Sequence, residues 1–172
     1  KPQYLTFDLS GRLEMNQSRW ISMSIPYLFD FPSGVNKPDK LARTLHRAAI
    51  ELNTRLILPL KQAIDLNLDP SGIIPILNQR DSLLLKKLSA IPDAIELTEW
   101  DADLVSSLRM EWPSLVIGVR GPFGMDVLSL AHAGIDFIHL TADYHGETSD
   151  GFILDSIRQA HLELVEEGIR ER

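Results

Sequence analysis

Five short apolar blocks, residues 56–58, 73–77, 94–97, 115–119 and 137–140, alternate along this chain with segments of helical periodicity. Strands this short between helical patterns specify repeated βα units and a parallel sheet. The spacing of roughly 20 residues per unit is a structural repeat, without the self-similar sequence of a solenoid. In parallel βα folds ligands sit just beyond the carboxyl ends of the strands, so the residues after each block carry the functional information. Few of them are obvious catalytic groups.

Length decides how far such a sheet can go. At 172 residues the chain can form one domain burying roughly 70% of its unfolded surface, whereas a complete eight-stranded βα barrel takes about 250. No linker, charge block or composition shift divides it, so residues 1–172 read as a single domain. A net charge of -7 argues against nucleic-acid or anionic-membrane surfaces, which need clustered Lys and Arg. The absence of cysteine removes disulfides, thiolate metal sites and iron–sulfur ligation from this chain. No apolar run approaches the roughly 20 residues of a membrane span, and residues 1–8 lack a signal-peptide core. Cytoplasmic residence is expected, and a first residue other than Met points to a trimmed or incompletely ordered start.

Residues 4–8 and 12–15 flank Leu9-Ser10-Gly11 and read as a hairpin. Residues 20–25 read as a strand stopped by Pro26, and 27–37 as a loop. Pro38 opens a helix with Leu41, Leu45, Ala48, Ala49 and Leu52 on one face. Further helices are expected over 63–68, 83–88, 103–110, 125–133 and 152–167, with Gly168 as the last C-cap. Pro75 lacks a ladder donor and favours an edge strand or a bulge. The fold expected is α/β, a partial TIM-type βα barrel of five to six parallel strands with an N-terminal β-hairpin covering its N-terminal end. Its open edges call for a homo-oligomer or a completing partner chain.

Several local runs, taken in order, carry a resemblance: Leu52-Asn53-Thr54-Arg55-Leu56 after the long helix, Leu85-Lys86-Lys87-Leu88, Asp93-Ala94-Ile95-Glu96-Leu97, Gly118-Val119-Arg120, the loop from Leu140 to Thr148, and Ala160-His161 with Gly168-Ile169-Arg170-Glu171-Arg172. From about Pro38 to Arg172 the chain resembles the central FMN-binding synthase domain of glutamate synthases, in its short archaeal-type versions. The resemblance implies a βα barrel and flavin-dependent glutamate biosynthesis, with ammonia condensed onto 2-oxoglutarate and the imine reduced by FMN. It puts Arg120 where the family's lysine faces the flavin, and assigns Thr141, His145, Gly146, Thr148, Asn53 and Thr54 to the flavin site. The family's Gly-Glu-Gly-Gly and Gln-Gly-Ala-Lys-Pro-Gly runs, its phosphate-binding elements and its cluster cysteines have no counterpart here. Arg55, Trp100 and Tyr144 stand in place of glycines that let backbone approach a ligand, and are expected to reshape the pocket.

Read for their own chemistry, the residues offer one cation at a strand end. Arg120 can bind a small anionic ligand bidentately or pair with Glu96 or Asp143. His139 alternates into a strand as an interstrand histidine, whereas Asp143 and His145 in the following loop can form an acid–base pair. A metal would need a third ligand such as Glu147, and no known ligand spacing is matched. Glu96 and Glu99 can cap a helix or meet Arg120. Gly118, Gly121 and Gly124 lack the Gly-Lys-Ser of a phosphate loop, and Trp20, Trp100 and Trp112 suit packing. Two functions follow: an FMN-dependent oxidoreductase completed by other sequence, or a non-catalytic binding or regulatory subunit of the same fold.

Overall fold

The computed structural model describes residues 4–7, 13–16, 19–32, 36–122, 124–143, 145–148 and 151–169. Strands β1 (Tyr4–Phe7) and β2 (Leu13–Asn16) pair antiparallel in a sheet of their own. The turn between them, and with it the expected cover over the barrel end, lies outside the described residues.

The main sheet contains β3 (Phe29–Asp30), β4 (Leu56–Pro59), β5 (Ile73–Leu77), β6 (Ala94–Leu97), β7 (Val116–Pro122) and β8 (Phe137–Thr141), all parallel and adjacent in chain order. Parallel neighbours taken in sequence need crossovers of one hand, which puts the helices on one face and curls the other into a concave interior. The result is a half-barrel.

Alternation along each strand divides the two faces. Outward, Leu56 and Leu58 pack against Ala42 and Ala49 of α1 (Pro38–Glu51) and Ala63 of α2 (Leu60–Asp65). Ile95, Leu97, Ile117 and Val119 pack against Val105 and Leu108 of α3 (Ala102–Glu111) and Leu130 of α4 (Val127–His132). Inward, Ile57, Ile74, Ala94 and Val116 form one apolar layer, closed by Ile21.

That layer explains a departure from expectation. Residues 20–25 form no strand; they cross the amino ends of the sheet, where Ser24 N–H donates to Asn53 O (3.0 Å) and Arg55 reaches Ser22 O (3.5 Å). Burying Ile21 under the barrel outweighs the β-propensity of this segment. The predicted loop 27–37 instead supplies β3, the first strand. Pro75 is buried in a central strand, contrary to the edge or bulge expected, and the pairing of β5 with β6 begins only at Ile76, after the proline. Of the helix expected over 83–88, residues 83–87 lie in a 3₁₀ stretch, Gln79–Lys87, opened by Asn78 accepting from Arg80 N–H, and Leu88 is its extended C-cap.

The carboxyl end of β8 leads through β9 (Glu147–Thr148) and β10 (Gly151–Phe152) into α5 (Ile153–Glu166). Gly168 follows with φ 67°, and Ile169 N–H returns to Leu164 O, so the helix stops as its glycine demands. Among the described residues no helix is long and apolar enough to cross a membrane.

Candidate functional site

Inward-facing positions of three adjacent strands bring Glu96, Arg120 and His139 together. In β6 the outward residues are Ile95 and Leu97, which leaves Ala94 and Glu96 inside. In β7, Ile117 and Val119 face the helices, which turns Val116, Gly118 and Arg120 inward; in β8, Ile138 faces them and Phe137, His139 and Thr141 are inward. Register then places Arg120 beside His139 and Glu96 beside Gly118.

Glu96 is wholly buried. Its Oε1 lies 2.9 Å from His139 Nδ1, and its Oε2, which makes no hydrogen bond, is 3.6 Å from Arg120 Nη1. The same guanidinium forms a two-pronged pair with Asp30, at 2.9 Å from Nη2 to Oδ2 and 3.4 Å from Nη1 to Oδ1. A buried carboxylate is tolerated only where partners offset its desolvation, and here an arginine and an imidazole share that task. With Nδ1 committed to Glu96, Nε2 is the histidine nitrogen left for a ligand. The His139 side chain is 26% exposed and that of Arg120 19%.

Phe137 fills the floor beneath this cluster. A Cβ on Gly118 would stand 2.3 Å from its ring, so Gly118 is a packing glycine that admits the aromatic ring and not part of a phosphate loop.

Of the residues assigned to a flavin by resemblance, the structure gathers some and separates others. Arg120 and Thr141 lie at the carboxyl ends of β7 and β8. His145 and Gly146 lie in the loop beyond β8, and Thr148 pairs with Gly151. Asn53 and Thr54 precede β4 and so sit at the opposite, amino end of the sheet. There Asn53 Nδ2 donates to Ser24 Oγ (3.0 Å), and Thr54 Oγ1 donates to the Tyr27 carbonyl.

Asp143 is drawn into its own loop: its Oδ1 accepts from the N–H groups of His145 (2.9 Å) and Glu147 (2.8 Å). It organises the turn and is not the partner of Arg120. A Cβ on Gly146 would come within 3.0 Å of Phe152, so this glycine serves close packing against the start of α5 and leaves no cradle for a ligand. Arg55 pairs with Asp93 (2.8 Å) ahead of β4 and β6, and Trp100 packs on the helix side of the sheet. Neither reshapes the concave mouth, and Tyr144 lies outside the described residues.

FMN is therefore a poor fit to these residues. Two of the seven assigned residues are at the other end of the barrel, and Gly146 is closed off by Phe152. Among the described residues no group of three or more His, Cys, Asp or Glu is placed to hold a metal.

A cavity of about 590 Å³ opens at the amino ends of the strands, lined by Arg19, Trp20, Asp93, Glu111 and Trp112 among others. Its charges are committed: Arg19 to Asp136 (3.1 Å), Asp93 to Arg55, and Glu111 to Lys86 (2.7 Å). Asp136 also receives Arg109 and the N–H of Ile117 (2.8 Å), which clamps α3 to β7; burial lowers the Arg109 pKa, opposed by Asp136.

Asp30 was the residue least visible in the sequence, because its segment carries the turn residues of a loop. No protein family matches this chain, and neither does any curated protein.

Proposed function

We propose that this chain is a glutamate-synthase-like half-barrel that acts as a binding subunit, taking a small carboxylate-bearing molecule of the amino-acid or oxo-acid class at its concave mouth. The observation that carries this reading is Arg120, an inward arginine at the carboxyl end of β7 held between Glu96 and Asp30. A guanidinium presents a planar fork matched to carboxylate, and strand ends on this face are where βα folds meet their ligands. His139, held by Glu96, adds a nitrogen that can donate to the same ligand or accept from it.

Thermal unfolding with glutamate, 2-oxoglutarate, inorganic phosphate and FMN tests the reading. At a hundred times Kd a ligand adds about 2.7 kcal/mol to stability. A saturable rise in Tm with glutamate or 2-oxoglutarate, and none with FMN, is expected. A protein purified yellow, with near-stoichiometric flavin absorbance, would reverse the choice and favour the flavin-dependent oxidoreductase that the ordered sequence motifs imply.

A further inference from the structure

Arg120 meets two carboxylates of opposite character. Glu96 is wholly buried on the central strand β6, while the Asp30 side chain is 45% exposed on β3, the two-residue strand at the sheet edge. Only Asp30 addresses the fork with both oxygens, the geometry in which arginine takes a free carboxylate ligand. The backbone holds Asp30 in place through two bonds, Phe29 N–H to Arg55 O (3.0 Å) and Phe31 N–H to Ile57 O (2.9 Å). An exposed pair on a short edge strand is held weakly, whereas the buried Glu96 cannot leave without stranding a charge.

We propose that Asp30 is a tethered stand-in for the ligand: its carboxylate occupies the Arg120 fork until a ligand carboxylate displaces it, while Glu96 keeps the guanidinium in position. The proposal rests on the carboxylate-binding reading above and adds an autoinhibitory contact to it. Displacement also breaks the link from the first strand to the fifth, so ligand entry frees the β3 edge. Like charges cannot share one fork, so affinity for a carboxylate is set by how readily Asp30 withdraws.

The test is calorimetric titration of 2-oxoglutarate into the wild type, Asp30→Asn and Asp30→Ala, with folding checked by circular dichroism. Binding at least tenfold tighter in both variants is expected. Equal or weaker binding in folded variants, with the wild type binding, overturns the tethered carboxylate and leaves the binding reading intact. Absence of binding in all three proteins overturns both. If the variants do not fold, carbon-13 spectra of the wild type decide: 2-oxoglutarate should shift the Asp30 side-chain carboxyl resonance, and an unmoved resonance at saturation contradicts the proposal.

Discussion

Asp30 and Arg120 lie on the first and fifth strands of the main sheet, yet their side chains meet across the concave face at 2.9 Å. A flat parallel sheet would hold those strands some 19 Å apart, at about 4.8 Å per strand. The pair therefore measures how far the sheet has curled, and it spans the mouth where a ligand would enter.

Removing Arg120 should unsettle Glu96 more than Asp30, since only Glu96 is wholly buried. Arg120→Ala is expected to cost about 3 kcal/mol, the scale of an abandoned buried charge. Glu96→Gln in the same chain should restore part of it, giving a coupling energy above about 1 kcal/mol in a double-mutant cycle by urea unfolding. Additive losses would show that the two groups do not interact.

Gly118→Ala should clash with Phe137, whose ring would stand 2.3 Å from the new carbon. Overpacking of this kind costs about 1–3 kcal/mol. Phe137→Leu in the Gly118→Ala background should recover stability relative to Gly118→Ala alone, as read from denaturant midpoints.

Hydrogen bonds from Ser71, the backbone N–H first, hold the Asp69 carboxyl below its ordinary range. A carboxyl lowered on folding stabilises the protein above its unfolded pKa and loses that contribution as pH falls through the folded one. Wild type should thus exceed Asp69→Asn in stability near neutrality, and the gap should close on acidification below about pH 4. A gap constant with pH would argue against the linkage.

Along α5, Leu154, Ile157, Leu162 and Val165 are each about half exposed or more. Together with β8, the last strand of the main sheet among the described residues, they form an apolar margin of the kind that assembles with a second copy. Light scattering is expected to give a mass near twice 19.4 kDa, reduced to one copy by Leu154→Glu with Val165→Glu. A 19.4 kDa species at micromolar concentration would contradict this.

The parallel half-barrel was legible because its strands are short apolar runs whose type is fixed by burial on both faces; 73–77 and 94–97 appear in the structure with the bounds their sequence suggests. Residues 20–25 misled because local β-propensity carries no information about which end of the sheet a segment crosses. The pairing of Arg120 with Glu96 was readable from neighbouring strand ends. Asp30 was not, since its contact with Arg120 depends on the curl of four intervening strand pairings and on a two-residue strand inside a turn-rich segment. Asn53 and Thr54 followed from resemblance alone, and the order of helix and strand places them at the amino end.

The central claim is that the Arg120 fork binds a ligand carboxylate, and titrating 2-oxoglutarate into wild type and Arg120→Lys by calorimetry tests it most directly. Lysine keeps the charge beside Glu96 but has no planar fork. The account predicts saturable binding to the wild type and at least tenfold weaker binding to the folded variant; equal affinity in the two proteins would contradict it.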